Sequence, residues 1–128
     1  YTIAIIDDDE EDLVFLSSAF RESYENAAIL TFTSGVAFME YVQTTPNLPN
    51  LAITDLYMPM IDGLELIAAL KANPRTNDVK VILLSTFLNQ PVLAHVAAFK
   101  NVNYYLKPNS YTDYVALANK IMKTIYAL

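Results

Sequence analysis

Ile3-Ala4-Ile5-Ile6, followed at once by Asp7-Asp8-Asp9-Glu10-Glu11-Asp12, is the stretch whose reading decides the fold. An apolar run this short and this rich in β-branched residues is too brief for a helix and reads as a buried strand. The period then changes. Leu13, Leu16, Phe20 and Tyr24 recur on one face of a helix, with Ser17, Arg21 and Glu25 able to face water. Asp9 is placed to cap that helix, and Glu10, Glu11 and Asp12 favour the positive end of its dipole.

The alternation continues outward along the chain. Residues 28–32 read as a second strand, ended by Thr33-Ser34-Gly35, and 36–43 as a helix; 44–50, with Pro46 and Pro49, is a loop. Residues 51–54 read as the third strand and 63–72 as the next helix, with Leu64, Ile67, Ala68 and Leu70 on its buried side. The runs 79–84 and 104–106 supply strands four and five. Residues 92–99 form a fourth helix, and 111–128 a long closing helix with a wide apolar stripe. Five strands alternating with five helices, several strands apolar on both faces, predict an α/β fold: a doubly wound parallel sheet covered by helices on both sides. At 128 residues the chain is expected to be one domain, 1–128.

Composition narrows the chemistry. Hydrophobic residues make up 54% of the sequence, above the usual ~45–50%, so the core is generous for this size. The absence of Cys removes disulfides, thiolate metal sites and Cys nucleophiles. The longest apolar stretches fall short of the ~18 residues of a membrane span. There is no signal-peptide pattern, so a cytoplasmic protein is expected. Fourteen acidic residues against eight basic leave a net charge of −6, and positions 7–12 supply six of the acids. The whole imbalance therefore sits in one run. With no basic stripe, direct nucleic-acid or membrane-surface binding is not expected, and a cation is the natural partner of the acidic run.

In an open α/β sheet, ligands sit outside the carboxyl ends of the strands. Here those ends carry Asp7 and Asp8, Asp55, Ser85 and Thr86, and Lys107-Pro108. A nucleotide or flavin phosphate site wants a Gly-rich turn with free backbone amides. The first strand is followed by six acids instead, and the chain holds only two glycines. Carboxylates at three strand ends suit a hard divalent cation; Mg²⁺ takes one or two carboxylates, keeps waters and accepts phosphate oxygens. A carboxylate can also act as a nucleophile and form an aspartyl phosphate. The lysine and a hydroxyl would then stabilise the phosphoryl charge.

Four segments now form a pattern. Ile5-Ile6-Asp7-Asp8 ends strand one in an acidic pair. Asp55-Leu56-Tyr57-Met58-Pro59-Met60-Ile61-Asp62-Gly63 fills every named position of Asp-x-x-Met-Pro-x-x-Asp-Gly. Ile82-Leu83-Leu84-Ser85 ends in a hydroxyl, and Tyr104-Tyr105-Leu106-Lys107-Pro108 joins an aromatic, a lysine and a proline. Together, in order and across essentially the whole chain, they resemble the receiver domain of two-component response regulators, in its stand-alone, chemotaxis-regulator-like form. The resemblance implies a flavodoxin-like (βα)5 sheet of order 2-1-3-4-5. It implies that Asp55 accepts a phosphoryl group from a sensor histidine kinase, a histidine phosphotransfer protein or a small phosphodonor. It further implies that Asp7, Asp8, Asp55 and the backbone carbonyl of Tyr57 hold Mg²⁺. Lys107 would contact the phosphoryl group, Ser85 would move to hydrogen-bond it, and Tyr104 would be the switching aromatic. The domain would act as a regulatory switch on a downstream protein, not as an enzyme with a turned-over substrate.

Departures from the family pattern carry their own expectations. Lys100-Asn101 stands where Gly-Ala is common, and Asn tolerates the left-handed backbone better than most residues. Tyr57 and Phe87, at positions that tune phosphoaspartate hydrolysis in the family, are bulky rings, so slow autodephosphorylation is expected. Tyr57 also occupies the place where a phosphotransfer hydrolase would carry a second Asp. A constitutive interaction module with a vestigial site is the other alternative, and the complete site set speaks against it. Tyr111, Val115, Met122 and Tyr126 extend the last helix's apolar stripe and read as a partner or dimer surface, shared with the last strand. No output domain follows that helix, so the chain is expected either to stand alone or to have had its output part removed.

Overall fold

The computed structural model describes residues 1–126. Its order is β1 (Thr2–Ile6), α1 (Glu10–Ser23), β2 (Ala28–Phe32), α2 (Gly35–Thr44), β3 (Leu51–Asp55), α3 (Gly63–Ala72), β4 (Lys80–Ser85), α4 (Gln90–Ala97), β5 (Val102–Leu106) and α5 (Tyr111–Tyr126). The strands form one parallel sheet of order β2-β1-β3-β4-β5. The chain steps from β1 to β2 on one side, then crosses back to β3 on the other, so the switch point lies between β1 and β3.

Two cores explain why the central strands are apolar on both faces. Successive side chains of a strand point to opposite sides. Ile3, Ile5, Leu51, Ile53, Ile82 and Leu84 pack with Leu16 and Phe20 of α1 and Ile121 and Met122 of α5. Ala4, Ile6, Ala52, Val81 and Leu83 pack on the other face with Phe38, Leu66, Ile67 and Val96, from α2, α3 and α4. Caps set the helix starts. Asp9 accepts from the backbone N–H of Glu11 and Asp12, Ser34 from Ala37, and Asp62 and Glu65 form a reciprocal capping box.

Several boundaries differ from the sequence reading. Residues 104–106 were too short for β5, which begins at Val102, just after Asn101 turns through the left-handed region at φ 61°. As the sheet's edge strand it leaves Asn103 and Tyr104 exposed, so its first half carries no apolar run to mark it. The helix expected over 92–99 starts at Gln90, because Asn89 caps it at Val92 N and Pro91 fits the first turn; it stops at Ala97. Val79 lies outside β4, its N–H donating to Thr76 O in a turn. Met122 does not belong to an outward stripe: it is fully buried against the sheet, and Val115 is half-buried. Tyr111 is exposed, while the side chain of Tyr126 and the helix end expected at 127–128 lie outside the described residues.

Candidate functional site

The parallel register brings the strand ends into one line. Ile6 is level with Thr54, Asp55 with Leu84, and Ser85 with Leu106. Backbone bonds continue the line past the strands: Asp7 N donates to Phe32 O at 3.0 Å, Leu56 N to Leu84 O at 3.0 Å and Lys107 N to Ser85 O at 2.8 Å. Residues far apart in sequence therefore converge. Carboxylate oxygens of Asp7, Asp8 and Asp55 lie within 4.8 Å of one another. The Lys107 Nζ stands 2.9 Å from Asp7 Oδ2, 2.8 Å from Asp12 Oδ2 and 3.3 Å from Asp55 Oδ1.

Burial makes these charges matter. Asp7 is 1% exposed and Asp55 9%. Burial pushes the Asp7 carboxyl above its ordinary value, opposed by Lys107 and by the Asp9 N–H that donates to its Oδ1. Asp55 is pushed up to about 6, first by burial and then by the charge of Asp7, with Lys107 pulling the other way. Burial alone would lower the Lys107 pKa, but its hydrogen bonds and charge pairing with the acids more than reverse that, so it stays fully charged. One ammonium thus serves three carboxylates. Asp7 Oδ2 is buried and meets Lys107 outside hydrogen-bond geometry, so the contact is an ion pair that leaves the oxygen short of a donor.

That donor set fits a hard divalent cation. Oxygen ligands only, two of them on one strand end and one on the neighbouring strand, with a buried oxygen unsatisfied, is the environment such an ion takes. The exposed Asp8 side chain marks the open side of the cluster.

The loop from β3 to α3 is closed tightly under Asp55. Gly63 N donates to Leu56 O at 2.8 Å, and a Cβ at Gly63 would lie 2.5 Å from Asp55 O and 2.8 Å from Leu83 Cδ1. Only glycine permits that approach. Met58 is buried beneath the loop, while Tyr57 and Met60 are exposed.

Asp7, Asp8, Asp55 and Lys107 meet as the sequence predicted. Ser85 is buried beside them, its Oγ accepting from Phe87 N at 3.2 Å. Tyr57 and Phe87 are 55% and 61% exposed, on the loops that follow β3 and β4. Tyr104 is not core: it is 44% exposed, and Tyr105 turns to the opposite face, where Lys120 sits 5.3 Å from its ring centroid. Asp12 was missed. Its position in the first turn of α1 accounts for an acid there, and nothing local announces a partner 95 residues away.

Comparison with known proteins agrees with the geometry. The sequence profile described as response regulator receiver domain matches residues 3–119. Response regulator Rcp1 of Synechocystis is 28% identical over 111 residues, spanning 81% of this chain and 74% of that protein. A similar segment also lies inside a longer protein: a terminal-differentiation-specific adenylate cyclase of Dictyostelium discoideum is 29% identical over 127 residues, only 6% of its length. Among solved structures, the phosphorylated cyanobacterial phytochrome response regulator RcpA superposes with a TM-score of 0.89 at 22% identity, over 99% of this chain and 95% of that one. The Mn²⁺-bound form of Rcp1 gives 0.84 at 23%, over 95% and 91%. At these identities the structural likeness establishes the fold. Among the described residues, no helix is long and apolar enough to cross a membrane.

Proposed function

The chain belongs to the response regulator receiver domain family, and we propose that Asp55 is its phosphoacceptor, Asp7 and Asp8 its Mg²⁺ ligands and Lys107 the counter-charge of the phosphoryl group. Receiver domains take phosphate from histidine kinases and are regulatory phosphoacceptors, not true enzymes. The observation that carries the assignment is the meeting of three carboxylates and one ammonium at the ends of β1, β3 and β5.

Asp55 must be ionised to attack phosphorus. With its pKa about 6 the carboxylate predominates at pH 7, and a bound divalent cation would favour it further. An Asp55 carboxylate oxygen forms the new bond as the donor's phosphorus-bound atom departs with its electron pair. Bound Mg²⁺, held by Asp7, Asp8, Asp55 and the Tyr57 carbonyl, would supply charge neutralisation at the carboxylates and at the incoming phosphoryl oxygens. Lys107 stays within reach of Asp55 and offsets the added charge of about −1.5 to −2.

The switch follows from what each residue gains. Lys107 already pairs with Asp55, so only the increase in that attraction counts. Ser85 would leave Phe87 N and donate its hydroxyl to the phosphoryl group, a bond worth about 1.5–3 kcal/mol. A shift from 1:99 to 99:1 needs ~5.5 kcal/mol. Burial of the exposed Tyr104 ring contributes part of the remainder, and a partner completes it. Exposed Tyr104, Leu106 and Tyr111 on β5 and α5 offer that contact, to a downstream protein or a second copy of the chain. The donor is a sensor histidine kinase or a histidine phosphotransfer protein, in the cytoplasm. Tyr57 and Phe87, two residues past Asp55 and Ser85, are bulky and exposed, and would slow attack by water. Intact mass after incubation with Mg²⁺ and acetyl phosphate tests the reading: one phosphoryl group on the wild type, none on Asp55→Asn, none in EDTA. An unchanged gain in Asp55→Asn defeats it.

A further inference from the structure

Asp12 belongs to none of the roles above, yet its carboxylate takes the shortest of the three Lys107 contacts, at 2.8 Å. Its other oxygen accepts from the Tyr114 hydroxyl at 3.4 Å. Tyr114 is 3% exposed and packs against Phe15 of α1, so the Asp12 carboxylate is held from the α5 side as well as by its own helix. Asp12 thus shares one ammonium with the metal-ligand carboxylates Asp7 and Asp55. Lys107 has three protons to give, and one of them goes to Asp12.

We propose that Asp12 is a positioning residue that shares the Lys107 ammonium, dividing its hold on Asp7 and Asp55 and leaving their oxygens easier for a divalent cation to take. This rests on the reading of Asp7, Asp8 and Asp55 as the cation's ligands. An ammonium that lies 2.9 and 3.3 Å from two of those carboxylates competes directly with a cation for the same oxygens. A third anion, hydrogen-bonded to the same ammonium, offsets its charge and divides its attraction. Without that anion the ammonium settles on the ligand carboxylates, and the cation must displace it. Asp12 acts through Lys107 and needs no contact with the metal.

Calorimetric titration of the metal-free protein with Mg²⁺ tests this, each variant's urea midpoint being recorded alongside. Asp12→Asn is expected to raise the Mg²⁺ Kd about three- to tenfold, as loss of a charged hydrogen bond to a partly buried group would. Tyr114→Phe, which loosens the same carboxylate without changing charge, moves Kd the same way by less. Glu11→Gln, an exposed acid one residue away with the same charge change, stays within about twofold of wild type. In a Lys107→Ala background the Asp12→Asn effect shrinks to that level, because nothing remains to be positioned. An Asp12→Asn Kd equal to wild type overturns the proposal. So does an equal shift with Lys107 absent, which would make Asp12 part of a general field. A wild type that binds no Mg²⁺ removes the ligand assignment itself, and this inference with it.

Discussion

Asp55→Asn is expected to stabilise the metal-free protein. The Asp55 carboxyl is pushed from 3.8 up to about 6 by burial and by the charge of Asp7. A folded-state pKa above the unfolded one means that the side chain's favourable contribution is complete below about 3.8 and is lost as pH rises through 6. Roughly two pKa units at 1.36 kcal/mol each put the loss by pH 7.5 at no more than about 3 kcal/mol. Asparagine escapes that loss because it never ionises. The value of about 6 already includes the pull of Lys107 on the carboxylate, so losing that contact is no further deduction, and solvent screening at the rim of the site trims the bound. The net expectation is about 1–2 kcal/mol, or ~3–6 °C in Tm for a domain of this size. Urea unfolding followed by far-UV circular dichroism in EDTA reads it directly. The advantage should be largest at pH 7.5 and smaller at pH 5. Excess Mg²⁺ at pH 7.5 should stabilise the wild type preferentially and close the gap, because the ion binds the folded carboxylates. A variant no more stable than wild type in EDTA at pH 7.5, with an unchanged m-value, refutes the claim that crowded charge is stored at this edge.

Lys107→Ala leaves buried Asp7 and Asp55 facing each other without their shared cation, and should cost about 3–5 kcal/mol in EDTA, partly recovered by Mg²⁺ in the same urea assay. Gly63→Ala forces its new Cβ against the Asp55 carbonyl and Leu83; a loss of about 1–3 kcal/mol or more, with slower labelling by acetyl phosphate, is expected from thermal melts and intact mass. Replacing Tyr57 and Phe87 together by Asn should shorten the phospho-form half-life severalfold in Mg²⁺ buffer, measured by loss of the phosphoryl mass; an unchanged half-life would remove both rings from rate control.

What could be read from the sequence follows from what each feature depends on. β1, β2, β3 and most of β4 announce themselves because each is a compact apolar run whose neighbours on both sides are polar or turn-forming. The site residues are legible for the same reason: Asp7, Asp55, Ser85 and Lys107 each stand where such a run ends, and a parallel sheet aligns those ends. β5 reads short in the sequence because an edge strand needs no continuous apolar signal, and Asn103 interrupts it. Met122 reads as outward-facing because a stripe on a long helix does not reveal how far around the sheet covers it; the structure buries it fully. Asp12 was hidden by sufficiency. A helix-dipole role already explained an acid in that turn, and its bonds to Lys107 and Tyr114 join α1 to residues some hundred positions further along the chain.

The central claim is that the gathered acids and lysine make the side chain at 55 the one that carries phosphate. Borohydride reduction of protein labelled with acetyl phosphate and Mg²⁺, followed by peptide mass mapping, locates the acyl phosphate by its conversion to the corresponding alcohol. Homoserine at position 55, with Asp7, Asp8 and Asp12 unmodified and no conversion in EDTA, is the predicted result. Reduction at any of those other three acids, or at none in a protein that has gained phosphate, would contradict it.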